Sequence, residues 1–186
     1  MSDLHQNHFE LLNLPTQYAI NLQALDQNYR RLQGEVHPDR FTAAPAAERM
    51  RSMQLATQAN EAYRTLKSPT ARARYLLQIN GIDTHEESNT AMPADFLMLQ
   101  MEWRESIEEA VAERDIDTLE KLLKKTQQEA RELQTQLQAT LDIEAGTESA
   151  GSPSESYRQA AEAVRKLSFI DKVRDEIEQA IVQLEE

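Results

Sequence analysis

The chain of 186 residues contains no cysteine, which excludes disulfide bonds, thiolate nucleophiles and cysteine-ligated metal or iron–sulfur centres. Its net charge of −12 is unevenly placed, because residues 1–80 hold nine Lys and Arg against seven Asp and Glu, whereas residues 81–186 hold eleven against twenty-five. The phosphate backbone of a nucleic acid would repel that acidic part, so nucleic acid is not an expected partner.

The composition favours an all-α fold. Only four glycines occur, Leu, Ala, Gln and Glu are frequent, and no run of β-branched residues alternates with polar ones as a strand would. The N-terminus lacks the basic region and long apolar run of a leader, and no apolar stretch approaches the length of a membrane span. We therefore expect a soluble protein of the cytoplasm, in the bacterial cytosol.

Two prolines mark the ends of the first two apolar segments. A short apolar segment, HFELLNL, ends at Pro15, and Asn21 is a good N-cap for the helix that follows. Apolar residues then recur at helical spacing up to Val36, and Pro38 ends the helix because it lacks a backbone N–H. Gly34 lies inside this helix, where glycine costs up to about 1 kcal/mol relative to alanine.

A long helix and a short one complete the N-terminal part. The segment RFTAAPAAE forms a connection, after which apolar residues at helical spacing predict a long helix that ends near Leu66. Ser68 then acts as N-cap with Pro69 at the first helical position, and the short helix ends at Gly81. Residues 82–94 are polar, contain a proline and show no period, which predicts a linker.

The C-terminal part is predicted to be helical with one loop. Its helical patterns occupy residues 95–114, 117–141 and 156–185. The segment EAGTESAGSPSES, residues 144–156, predicts a flexible loop by composition. The predicted organisation is therefore two all-helical modules and a linker: residues 1–80, 81–94 and 95–186.

The tripeptide His37-Pro38-Asp39 is open to three interpretations. His37 and Asp39 could form an acid–base pair, since histidine titrates near neutral pH, but no nucleophile motif, Gly-rich phosphate loop or metal-ligand spacing accompanies them. The tripeptide could also be no more than a helix stop. The third interpretation is a binding loop, and the flanking sequence favours it.

The string YRRLQGEVHPDRF, followed by a proline-containing loop and ANEAYRTLKSPTARARYLL, resembles the J domain of DnaJ-type co-chaperones. The resemblance implies an antiparallel helical hairpin with short flanking helices, which docks on a DnaK-type chaperone and stimulates its ATPase. It also implies that the tripeptide supplies the main contacts and that nearby arginines face an acidic chaperone surface. The implied chaperone-binding residues are His37, Pro38, Asp39, Arg30, Arg31 and Arg40.

The segments DFLMLQMEWRE and RKLSFIDKVR extend the likeness over the full length, and the chain resembles the HscB family of J-type co-chaperones of iron–sulfur cluster assembly. Other J proteins continue with a Gly/Phe-rich segment and zinc-binding cysteines, and neither is present. The resemblance implies an L-shaped molecule whose C-terminal three-helix bundle binds a client. The implied partners are the specialised chaperone HscA and the cluster scaffold IscU.

Helical spacing from Phe96 separates two faces of the first C-terminal helix. The core face is predicted to carry Phe96, Leu99, Trp103, Ile107, Ala110 and Val111. The opposite face carries Leu97, Met98 and Met101, which we call the Leu/Met patch, with a rim of carboxylates. Such a patch is typical of a binding site, although it could instead pack under the linker or on the J domain. The resemblance assigns scaffold binding to Leu97, Met98, Met101, Glu102, Glu105, Glu109 and Phe169.

We therefore predict a co-chaperone without enzymatic activity, cofactor or metal, and a monomer with at most weak self-association. His5 and His8 are three residues apart, but no further ligands support a metal site beside them. The alternatives are a J-domain adaptor for a different client, a small hydrolase using His37 and Asp39, and a purely structural bundle that leaves the tripeptide unexplained.

Overall fold

The computed structural model describes residues 6–84, 92–144 and 155–185, and their regular structure is helical throughout. The predicted all-α fold is thereby confirmed. A 3₁₀ turn, Pro38–Phe41, lies between the second and third helices. The α-helices are α1 (His8–Leu11), α2 (Leu22–Val36), α3 (Ala46–Lys67), α4 (Pro69–Ile79), α5 (Ala94–Glu113), α6 (Ile116–Glu144) and α7 (Glu155–Glu185).

The described residues divide into two compact units. The first comprises residues 6–76 and 141–144, so it includes the end of α6 as well as α1 to α3 and most of α4. The second contains the remainder of α4, the body of α6, and α5 and α7. Parts of the predicted linker and of the predicted 144–156 loop lie outside the described residues, as does His5.

The central feature of the first unit is an antiparallel hairpin of α2 and α3. Asn21 caps α2 as predicted, its side chain accepting hydrogen bonds from the backbone N–H groups of Gln23 and Ala24. Ser52 of α3 donates to the Val36 carbonyl at the end of α2. The core between the helices consists of Leu25, Leu32, Val36, Ser52, Ala59, Ala62 and Leu66, all buried.

Helix α1 packs against α3 and is joined to α4. Asn7 and Glu10 form a capping box on α1, which buries Phe9. The backbone N–H of His8 donates to the Tyr75 hydroxyl, and the two rings stack with centroids 4.2 Å apart. The first unit thus joins its N-terminal residues to α4 through specific polar and aromatic contacts.

The ends of α4 follow the predicted pattern. Ser68 caps the helix by accepting from the Ala71 N–H, and Pro69 is the first helical residue. Gly81 adopts φ +76°, a left-handed conformation that glycine reaches without strain. The Ile82 N–H then donates a hydrogen bond to the Leu77 carbonyl.

The second unit is built on α5, α6 and α7. Asp115 accepts from the backbone N–H and the hydroxyl of Thr118 and so caps α6. The predicted core face of α5 is largely correct, since Phe96, Trp103, Ile107 and Ala110 are buried. The prediction that Val111 lies on the core face is wrong, because its side chain is 39% exposed. It lies at the edge of the apolar stripe, in the last turn of α5.

Among the described residues, no helix combines the length and the apolar character that crossing a membrane requires.

Candidate functional sites

The turn after α2 presents the side chains of His37 and Asp39 to solvent. His37 adopts an extended backbone and its Nδ1 accepts a hydrogen bond from the Asp39 N–H at 3.3 Å. The same Nδ1 lies 3.6 Å from Asp39 Oδ2, with the two side chains 56% and 86% exposed. Acid–base catalysis gains most from groups held in a water-excluded pocket. This open arrangement instead suits contact with another molecule.

Two hydrogen bonds fix the turn to the hairpin. Ser52 Oγ, buried on α3, donates to the Val36 carbonyl at 2.7 Å and so satisfies a carbonyl at the helix end. The Arg40 guanidinium donates to the Gly34 carbonyl at 2.7 Å. Arg40 therefore lies folded back on α2 beside the turn, and its charge belongs to the same surface as the tripeptide.

Arg30 and Arg31 lie exposed on α2, next to side chains that join α2 to α3. Tyr29 stacks on Tyr63 of α3, with ring centroids 4.1 Å apart and planes inclined by 15°. The Tyr29 hydroxyl and the Gln33 amide both donate to Asn60 Oδ1. This role of Asn60 could not be predicted from the sequence, because pairing across two helices leaves no local pattern.

The outward face of α5 carries the predicted Leu/Met patch. Leu97, Met98 and Met101 are 40%, 65% and 72% exposed. Glu102, Glu105 and Glu109 are exposed on the same face. The predicted exposure of these three apolar side chains is confirmed. Their role in binding stays a prediction.

Phe169 of α7 is half-buried in an aromatic cluster. Its ring meets Phe96 edge-on at 5.8 Å and lies parallel to Trp103 at 6.4 Å, so much of it packs on the core face of α5. The Arg104 guanidinium lies 5.9 Å from the same ring. Arg104 follows Leu97 by seven residues, on the same side of the helix. Phe169 is therefore adjacent to the edge of the Leu/Met patch.

Arg104, which is not among the predicted site residues, also lies at this face. It lies three residues after Met101 in a helix surface dominated by glutamates. As the single cation of α5, next to the apolar residues of the patch, Arg104 could have been singled out from the sequence. Within the described ranges, no group of three or more His, Asp or Glu side chains is arranged to hold a metal ion.

Comparison with known proteins gives consistent matches. The family model described as "HSCB C-terminal oligomerisation domain" matches residues 92–178. A co-chaperone protein HscB homolog of Paraburkholderia phymatum is 48% identical over 185 residues, which cover 100% of this chain and 99% of that relative. The corresponding Azoarcus protein is 45% identical over 183 residues, 98% of each chain.

Two solved structures share the fold. Chaperone HscB from Vibrio cholerae is 36% identical, with a TM-score of 0.81 and coverage of 96% of this chain and 99% of that chain. Human co-chaperone protein HscB gives a TM-score of 0.84 at 24% identity, covering 96% of this chain and 83% of that one. At that identity, the human protein supports the fold alone.

Proposed function

The chain belongs to the HscB family of co-chaperones, and from that premise we propose that it stimulates the ATPase of a DnaK-type chaperone, HscA, and delivers to it the iron–sulfur cluster scaffold IscU. The observation that carries the proposal is the presence of two exposed surfaces in two separate units: the His-Pro-Asp turn in the first and the Leu/Met patch in the second. The protein hydrolyses nothing itself and acts in the bacterial cytosol.

The chaperone contact centres on the turn after α2. His37 and Asp39 reach into solvent from a short 3₁₀ turn, and Arg40 lies beside them on the Gly34 carbonyl. Charged groups at such a surface orient the encounter with an acidic partner and set its register. The proposed chaperone-binding residues are His37, Pro38, Asp39, Arg30, Arg31 and Arg40.

The scaffold contact is formed by the outward face of α5. Leu97, Met98 and Met101 are apolar groups that become buried when a partner covers them, and unbranched methionine adapts to its shape. The glutamates around them favour a scaffold surface with basic groups at its rim. The proposed scaffold-binding residues are Leu97, Met98, Met101, Glu102, Glu105, Glu109 and Phe169.

Delivery follows from carrying both sites on one chain. When the scaffold is bound to one surface and the chaperone to the other, each meets its partner at a raised effective concentration. No cofactor on the co-chaperone is needed for this step, because its contribution is binding alone. The protein acts as a monomer. The alternative is a J-domain adaptor whose α5 face recruits a different client.

Calorimetric titration of an IscU-type scaffold into this protein tests the client assignment. We expect Leu97→Ala with Met101→Ala to weaken binding at least about tenfold, since truncating two central apolar contacts costs more than 1 kcal/mol. Val111→Ala is the matched control, because Val111 lies on the same helix and is exposed to the same degree, 39% against 40% for Leu97. Wild-type affinity in the double variant would assign the client surface elsewhere.

A further inference from the structure

Two methionines of α3 are exposed without belonging to either proposed site. Met50 is 63% exposed and Met53 60%, values exceeded among the large apolar side chains of the described residues only by Met98 and Met101 of α5. The two are three residues apart, so they lie one above the other on a single side of α3. Fully buried residues of α3, such as Ala59 and Ala62, lie on its other side. Packing of the hairpin therefore does not account for the two methionines.

The register of the hairpin places these methionines next to the His-Pro-Asp turn. Ser52, between them in sequence, is hydrogen-bonded to Val36, the residue before His37. Met53 also precedes Asn60 by seven residues, two helical turns or about 10 Å, and so lies on the side of α3 that faces Gln33 through Asn60. Because α2 and α3 are antiparallel, the part of the chain that lies opposite Met53 is about seven residues after Gln33. It belongs to the His-Pro-Asp turn and no longer to α2.

The surroundings of the methionines are basic. Residues 30–53 contain five arginines against three Asp and Glu, whereas the rest of the chain contains fifteen Lys and Arg against twenty-nine Asp and Glu. A partner that covers this surface should therefore be acidic. Pairing of this surface with the same surface of a second copy would bring like charges together, which is unfavourable.

We infer that Met50 and Met53 extend the chaperone-docking surface from the His-Pro-Asp turn onto α3, and that the DnaK-type chaperone covers them with an apolar patch bordered by carboxylates. The inference rests on the proposed function, because the turn beside the methionines identifies the occupant. The arginines and the turn provide orientation, while the methionines provide apolar area that is removed from water on docking.

The test is the dependence of chaperone ATPase stimulation on co-chaperone concentration. Met50→Gln with Met53→Gln retains the shape of both side chains and removes their apolar character. We expect the concentration for half-maximal stimulation to rise roughly tenfold, with the maximal rate retained because the turn is intact. Met50→Leu with Met53→Leu should recover most of the lost affinity. Leu22→Gln is the control, since Leu22 is 51% exposed at the other end of α2.

The remaining outcomes separate this inference from the proposal on which it rests. An unchanged half-maximal concentration in the glutamine pair overturns the inference, as does an equal rise in Leu22→Gln. The glutamine pair could instead leave the half-maximal concentration unchanged and alter either the sedimentation coefficient or the affinity for the scaffold. The methionines would then contact a second copy or the scaffold, and the inference would be overturned. If the wild-type protein stimulates no chaperone, the proposed function fails and the inference fails with it.

Discussion

Gly34 leaves the exposed side of α2 without a side chain, less than one turn before the end of the helix. A Cβ added there would meet no atom within 4 Å, so no close approach requires glycine. Its carbonyl accepts a hydrogen bond from the Arg40 guanidinium, and the backbone carbonyl of any residue could do the same. Gly34 therefore does not mark close packing within its own unit. The helix bears an entropic cost there without a packing gain.

Gly34→Ala should therefore stabilise the first unit by up to about 1 kcal/mol, the difference in helix propensity between the two residues. Urea unfolding followed by circular dichroism would measure it as a higher midpoint with an unchanged slope. A lower midpoint would contradict the open space around Gly34.

His8 makes the stability of the first unit dependent on pH. Burial lowers the pKa of His8 below its ordinary value of 6.5, against a smaller opposing effect of Glu61. The unfolded chain therefore binds a proton more readily at this site, so the stabilising contribution is complete above pH 6.5 and is lost as the pH falls below it towards the lowered pKa. His8→Phe retains a ring for the stack on Tyr75 and removes the titration.

The expected result is a smaller loss of unfolding free energy in His8→Phe than in wild type between about pH 7.5 and pH 5.5. Paired urea titrations at the two values measure it. Equal losses in both proteins would show that the site does not couple protonation to folding.

At the scale of elements, local chemistry determined what could be predicted. Asn21, Ser68 and Gly81 act as the predicted helix caps, because capping depends on residues close in sequence. The exposed apolar face of α5 also followed from helical spacing. Val111 did not, since burial at the edge of a stripe depends on how far neighbouring helices extend.

Contacts between distant elements could not be predicted from local patterns. Asp142, near the end of α6, accepts hydrogen bonds from the backbone N–H groups of Tyr18 and Ala19, ahead of α2. The partners are more than 120 residues apart in sequence. The Asn60 pairing and the aromatic contacts of Phe169 are of the same kind. The role proposed for Phe169 came from family resemblance, and spacing alone gave no reason for it.

Asp142→Ala should destabilise the protein by about 1–3 kcal/mol, because it leaves the N–H groups of Tyr18 and Ala19 without their acceptor. Asp142→Asn is the matched control, since its amide oxygen still accepts and most of the stability should be retained. The free energy of unfolding in urea distinguishes the two. Equal stability of wild type and Asp142→Ala would show that the contact contributes little.

For the whole molecule, charge is unevenly divided between the N-terminal and the C-terminal part. The tripeptide and five arginines lie in the net-positive N-terminal part, and the Leu/Met patch lies in the acidic C-terminal part. If the turn binds the proposed chaperone and the patch binds the proposed scaffold, this difference in charge would discourage exchange of the two partners, because a partner complementary to one charge is repelled by the other. The family and the all-α fold were recoverable from the sequence.

The central claim is that two separate surfaces couple a chaperone to a scaffold, and steady-state ATPase of the DnaK-type chaperone tests it most directly. The assay compares wild type, His37→Gln and Leu97→Ala with Met101→Ala, each with and without the IscU-type scaffold. We predict that His37→Gln abolishes stimulation, and that the double variant stimulates the chaperone alone but loses the additional effect of the scaffold. Full stimulation by His37→Gln, or an intact scaffold effect in the double variant, would contradict the account.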